Sequence, residues 1–237
     1  MSTYKKTAII LAGGEGHRAG GAIPKQFREL CDRPMVWWSM KAFHDADPDT
    51  QLVLVLHPGF FDDWDIIWNN LPESDRFAYR LCCGGRDRCE SVANGLMEET
   101  AEAGALIAVH DAARPLVSRE LIERCWQTAE QLQTAVPAVP VTDSLRKLGP
   151  DGDSQSVDRS LYVAVQTPQT FDAALLKKAY NARKAGEVYT DDASVVEAYG
   201  HKIALCQGEA INMKVTNPAD FIVAEALMMA VRTPASE

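Results

Sequence analysis

Arg18 and Lys25 stand seven positions apart, one closing the run Ala12-Gly13-Gly14-Glu15-Gly16-His17-Arg18 and the other inside Pro24-Lys25-Gln26-Phe27. Glycines lack a Cβ, so backbone N–H groups in such a run can approach a triphosphate closely. Two fixed cations beside it can stabilise the charge that builds on the oxygens of an attacked phosphoryl group. The chemistry these residues suit is nucleotidyl transfer. The run is not a Walker A sequence, because no Gly-Lys-Ser/Thr follows, and it lacks the dinucleotide G-x-G-x-x-G spacing. His17 and His110 are read as a solvated and a packed histidine, and no Ser/His/Asp or Cys/His constellation is evident. A phosphate monoester nucleophile, already largely anionic near neutral pH, needs orientation more than deprotonation.

The elements that must position these residues follow from hydrophobic period. Residues 7–11 read as a strand running into the glycine loop, and 35–46, 51–56 and 60–70 as helix, strand and helix. A strand is expected near 77–82, a helix at about 87–100, a strand at 106–110, a helix at 118–131 and a strand at 135–141. This βαβ alternation implies a mostly parallel sheet with helices on both faces. Ligands then lie at the carboxyl ends of the strands, where the first β-to-α loop sits. The rhythm breaks at 142–160, a polar stretch with the turn Gly149-Pro150-Asp151-Gly152, read as a protruding hairpin or arm. Helices at 172–185 and 191–199, a short strand at 203–206 and a last helix opening with Asn217-Pro218 complete the chain.

With 237 residues and 46% hydrophobic content the chain can bury a full core, and no linker marks a boundary, so a single domain over 1–237 is expected. The net charge of −9 argues against a nucleic-acid partner, which is held mainly by clustered basic residues. The apolar run 8–12 is too short for a signal peptide or membrane span. Six cysteines without C-x-x-C or Cys/His spacing read as reduced thiols in a cytoplasm, with no zinc site, and Cys82 and Cys83 as inert buried thiols. Trp37, Trp38, Trp64 and Trp68 read as packing or dimer surface, and Lys177 and Lys178 as a wet helix face.

Segments 11–18 and 24–27 resemble the signature of sugar-nucleotide pyrophosphorylases and related nucleotidyltransferases. Three further segments narrow the likeness: Gly84-Gly85-Arg86-Asp87-Arg88 with Ser91-Val92, His110-Asp111-Ala112-Ala113-Arg114-Pro115, and Asn212-Met213-Lys214-Val215-Thr216. With Val157-Asp158-Arg159 and Thr167-Pro168-Gln169, the chain resembles the 2-C-methyl-D-erythritol 4-phosphate cytidylyltransferase family over about 7–229. The resemblance implies a three-layer α/β/α, Rossmann-like nucleotide-diphospho-sugar transferase fold, with a mostly parallel mixed sheet and a protruding β-arm. It implies CTP and a polyol phosphate as substrates. Leu11, Ala12, Gly13, Gly14, Glu15, Gly16, Gly85, Ser91 and Ala112 would contact CTP. Arg18 and Lys25 would stabilise the transition state, and Arg159 and Lys214 would position the acceptor phosphate. Asp111, Arg114, Ser144 and Thr190 would line the same pocket. In such a family the arm crosses to a second subunit, so Ser144 and Arg159 would complete the neighbour's site in a homodimer. Mg2+ is expected to be held mainly through substrate phosphates, with no protein ligand assigned.

Ala19, Cys89 and Ile211 depart from residues common in the family, and Ile211 replaces a frequent carboxylate whose role does not transfer. Three other readings are weighed. A ribitol 5-phosphate cytidylyltransferase shares the first two segments, a non-catalytic nucleotide-binding module would lack charges that are present here, and a sugar 1-phosphate nucleotidyltransferase shares only the glycine loop.

Overall fold

The structure, a computed structural model, describes residues 5–14, 24–98, 104–184 and 186–232. Strand β1 (Lys6–Ala12) is followed by a short hairpin, β2 (Glu29–Leu30) and β3 (Arg33–Pro34), then α1 (Met35–Ala46), β4 (Gln51–Leu56) and α2 (Phe61–Asn70). Next come β5 (Arg80–Cys83), α3 (Arg88–Met97), β6 (Leu106–Asp111), α4 (Arg119–Leu132) and β7 (Thr134–Pro140). The arm is an antiparallel hairpin of β8 (Arg146–Leu148) and β9 (Ser154–Ser156). After it lie β10 (Val163–Val165), β11 (Gln169–Asp172), α5 (Ala173–Asn181), α6 (Asp192–Ala198), β12 (Leu205–Gln207) and α7 (Pro218–Arg232).

One eight-stranded sheet runs β10-β7-β11-β6-β1-β4-β5, with β12 also paired to β7. β1, β4, β5 and β6 are parallel neighbours, as are β7 and β12, while β10 and β11 run antiparallel to their neighbours. The period of two along the central strands sorts the core into layers. Ala8, Ile10, Leu52, Leu54, Leu56 and Leu106 face α1, α2 and α4, whereas Ile9, Val53, Val55, Ile107 and Val109 face α3, α5 and α6. This is the expected three-layer arrangement, and it explains why β1 reads as an unbroken apolar run rather than an alternating one. Trp64 and Trp68 lie buried under the first of these faces and Trp37 beside them, so these tryptophans are packing.

Helix starts follow local chemistry. Ser118 accepts from the Leu121 N–H at 3.0 Å, Asp172 from Leu175 at 2.9 Å, and Asp191 and Ser194 close a capping box. Asn217 Oδ1 accepts from the Asp220 N–H at 3.1 Å, with Pro218 as first helical residue, as its sequence predicts.

Three expectations are corrected. β5 begins at Arg80, opposite Val53, because Phe77 and Tyr79 before it pack on Trp68 instead of extending the ladder. Helix α5 ends at Asn181, where Arg183 Nε turns back to the Tyr180 carbonyl at 3.1 Å. Cys83 is exposed, while Cys82 is buried and burial pushes its thiol pKa up to about 11. Strand β11 has no counterpart among the expected elements, because its buried residues Gln169 and Thr170 are polar. Among the described residues no helix is long and apolar enough to cross a membrane.

Candidate active site

The chain order reverses around β1, which has β4 on one side and β6 on the other. A crevice therefore opens at the carboxyl ends of these strands. It is a cleft of about 700 Å3. Leu11, Ala12, Gly13 and Gly14 form one wall, Gly85 and Ser91 a second, and Asp111, Ala112 and Lys214 a third. Close contact requires one glycine, Gly85, and crowds a second, Gly84. A Cβ on Gly85 would stand 2.4 Å from Glu90 Cγ, inside the first turn of α3, and one on Gly84 would stand 3.3 Å from Gly13 Cα. Ser91 Oγ accepts from the Gly85 N–H at 2.9 Å and donates to the Asp87 carbonyl at 2.8 Å, fixing this turn from within.

Lys25 lies on the cleft wall in a short helical turn, with its ammonium 2.9 Å from the Val215 carbonyl. The buried Gln26 amide donates to Gly14 O at 3.3 Å, and buried Phe27 stacks on Trp64 at 5.8 Å. The turn is thus tied to the glycine loop, to the core and to the 212–216 segment. Glu15, Gly16, His17 and Arg18 lie outside the described residues.

On the third wall Lys214 Nζ donates to Asp111 Oδ2 at 2.7 Å, and its side chain remains 45% exposed. Burial alone would raise the Asp111 pKa, but the Arg88 and Lys214 charges outweigh it and hold the carboxyl at about 2. Arg114 backs the wall, donating to the Asn212 carbonyl at 2.8 Å, and burial lowers its pKa against the pull of Asp111. Sequence reasoning assigned no role to Arg88, Asp192, Gln26, His57 or Thr216. Arg88, Gln26, His57 and Thr216 line the cleft, and Asp192 binds Arg88 from behind at 2.7 Å. The signal for Asp192 was a second aspartate just after a helix cap, followed by apolar residues, which a surface reading discards.

His110 is wholly buried and has a positional role. Its Nε2 lies 3.1 Å from the Arg114 carbonyl and its Nδ1 3.1 Å from Thr167 Oγ1, which in turn accepts from the Asp111 N–H at 3.1 Å. A neutral ring with Nε2 protonated satisfies every member of this chain. Burial lowers the His110 pKa to about 4, below the 6.5 of a free imidazole. The unfolded chain therefore takes up a proton near pH 6.5 that the folded chain refuses until about pH 4. Stability should be fully present above pH 6.5 and fall by about 3 kcal/mol on descent to pH 4. The Asp111 contribution is lost only below about pH 4, so the two windows separate. Urea unfolding of His110→Gln across pH 4 to 7 should show a flatter slope than the parent, and equal slopes would remove His110 as the cause.

The family profile of 2-C-methyl-D-erythritol 4-phosphate cytidylyltransferases matches residues 6–230. The chain belongs to this family. The cytidylyltransferase of that name from Phocaeicola vulgatus is 41% identical over 222 residues, 93% of this chain and 98% of its own length. That from Geobacillus thermodenitrificans is 35% identical over 222 residues, covering 93% and 96%. The crystal structure of the Thermus thermophilus 2-C-methyl-D-erythritol 4-phosphate cytidylyltransferase is 34% identical and superposes with a TM-score of 0.75 over 95% of this chain and 99% of that one.

Within this cytidylyltransferase-family chain, the predicted residues divide by location. Leu11, Ala12, Gly13, Gly14, Lys25, Gly85, Ser91, Asp111, Ala112 and Lys214 converge on one cleft. Ser144, Arg159 and Thr190 are not on its walls, and Ser144 and Arg159 are exposed. Arg159 sits at the base of the arm and donates to the Thr142 carbonyl.

Proposed function

We propose that this chain transfers the cytidylyl group of CTP to 2-C-methyl-D-erythritol 4-phosphate, releasing pyrophosphate, as one catalytic domain in the cytoplasm. The observation that carries the reading is the cleft whose lining brings Lys25 and Lys214 together with Gly13, Gly14 and Gly85. Family membership and the names of the relatives support the substrates. The six free cysteines fit a reducing compartment.

In the reaction a phosphate oxygen of the polyol phosphate attacks the α-phosphorus of CTP, a new P–O bond forms, and the α–β phosphoanhydride bond breaks. Backbone N–H groups at Gly13 and Gly14 lie where the triphosphate would bind, and the small Ala112 allows close approach of the nucleoside. Lys25, together with Arg18, stabilises charge on the oxygens of the α-phosphate. Lys214, held by Asp111, orients the incoming phosphate, which needs no general base.

The donor set fits Mg2+ held mainly by substrate oxygens. Of the carboxylates on the cleft wall, Asp87 caps α3 and Asp111 is engaged by Lys214 and Arg88, and no cluster of three metal-ligating side chains occurs among the described residues. When bound, the ion would neutralise charge on the departing pyrophosphate.

The reading extends to a homodimer in which Ser144 and Arg159 of one arm serve the partner's cleft. Supporting this are the arm's exposed apolar side chains, Leu148 at 74% and Leu161 at 79%, which suit a covered surface. Arg159→Ala should raise KM for the polyol phosphate about 10- to 100-fold, the worth of a hydrogen bond between charged groups, with little change in KM for CTP. Dimers mixed from Arg159→Ala and Lys25→Ala subunits should regain activity. Absence of recovery in verified mixed dimers would count against the shared site.

The function itself is tested by side-by-side turnover with CTP. Pyrophosphate release with methylerythritol phosphate and little with ribitol 5-phosphate is expected. Robust product from ribitol 5-phosphate alone, or none from either, overturns the reading.

A further inference from the structure

Behind the cleft wall a row of alternating charges crosses five parts of the chain. Tyr180 of α5 donates its hydroxyl to Asp192 Oδ1 at 2.5 Å. Asp192, at the start of α6 and 0% exposed, accepts from Arg88 Nη2 through its second oxygen at 2.7 Å. Arg88, the first residue of α3, also places Nε 3.5 Å from Asp111 Oδ1 at the end of β6. Asp111 Oδ2 then receives Lys214 at 2.7 Å. One end of the row is buried among Leu176, Val195 and Val196, and the other opens into the cleft.

The order of charges matters. Each carboxylate lies between its partners, so Arg88 cannot turn fully onto Asp111 without abandoning Asp192 in the core. With Arg88 held from behind, Asp111 keeps one oxygen toward it and presents the other to Lys214. Arg88 also begins α3, yet Ser91 in its first turn and the adjoining Gly85 are held by each other and by the Asp87 carbonyl, independently of the guanidinium.

We infer that Arg88, locked by Asp192 and Tyr180, is a positioning residue that sets the place of the Lys214 ammonium through Asp111 and so governs use of the acceptor phosphate. This deepens the proposed function and, for its kinetic arm, rests on it. Burial opposes the Arg88 charge and the two aspartates outweigh it, in keeping with a guanidinium that stays charged in this row. Arg88 is not itself required to touch the reacting atoms.

The test uses the double variant Arg88→Met with Asp192→Asn, in the full chain. It removes both members of the buried pair, which avoids a stranded charge, and the amide oxygen of the introduced asparagine can still accept from Tyr180. KM for methylerythritol phosphate should rise on the order of 10-fold to 100-fold, as small misplacements of a positioning group do, while KM for CTP stays within about twofold. A crystal structure of the variant should show Lys214 Nζ displaced from Asp111. Unchanged acceptor KM in an active parent, or equal rises for both substrates, overturns the inference in favour of a merely structural pair. If the parent itself turns over neither polyol phosphate, the proposed function fails, and the variant's structure still decides this point: Lys214 kept at its original distance from Asp111 sinks the positioning role, and displacement sustains it.

Discussion

Lys25→Ala should lower kcat by about 100- to 1,000-fold, or roughly 3 to 4 kcal/mol, with KM for CTP changed far less. The reason lies in what the side chain faces. Its ammonium is held on the cleft wall by the Val215 carbonyl, and the turn that carries it is fixed by Gln26 and Phe27 independently of the lysine head. Truncation therefore removes a cation aimed at developing charge while leaving the turn in place. Thermal unfolding should show a near-normal midpoint, since the lost hydrogen bond to Val215 is worth about 1 kcal/mol. Turnover close to that of the parent would take Lys25 out of the transition state.

Asp192→Ala should cost about 3 to 5 kcal/mol of stability, because it strands a largely buried guanidinium and leaves the Tyr180 hydroxyl without its acceptor. Asp192 has no solvent exposure, and the Arg88 side chain it holds is 26% exposed. Arg88 would be left with Asp111 at 3.5 Å as its remaining acid partner among those described, and Asp111 is already shared with Lys214. Urea titration should report a lower midpoint with an unchanged m-value, the sign of a less stable but equally compact fold. A loss under about 1 kcal/mol would mean that the row of charges is not a structural unit.

These two residues differ in how visible they were. Lys25 stands in a segment whose neighbours announce a phosphate site: glycines before it, proline and glutamine beside it, and a strand leading in. Local periodicity likewise gave α1 and β4 to the residue, since Val36, Met40 and Phe43 repeat at helical spacing and the residues 52–56 are apolar throughout. Asp192 carries no such local mark. Its meaning arises only when α6 packs against α3 and brings Arg88, 104 positions away in the chain, into contact. The same holds for Gln166, Thr167 and Gln169, polar residues that the sequence places in no element. Each is buried because it satisfies a distant group: Glu209 O for Gln166, His110 for Thr167, Asp191 for Gln169. Alternation of polar and apolar residues cannot signal a strand whose buried face is built from hydrogen bonds. His110 is the converse case. Its apolar strand context predicted a packed ring, and the tertiary hydrogen bonds give that ring its task of joining residues 111, 114 and 167.

The arm is a third kind of case. Its turn was legible from Gly149-Pro150-Asp151-Gly152, where Gly152 takes a φ of +82° that suits glycine. The part proposed for Ser144 and Arg159 was not legible in their local pattern and came only from the resemblance, and within this chain both stand off the cleft walls.

A crystal structure with CTP and magnesium tests the central claim most directly. The triphosphate should rest on the backbone of Gly13 and Gly14 with its α-phosphate within hydrogen-bond reach of Lys25, and the space beside Lys214 should remain open to a second phosphate. Nucleotide bound elsewhere on the molecule, or with its α-phosphate turned away from Lys25, would contradict the account.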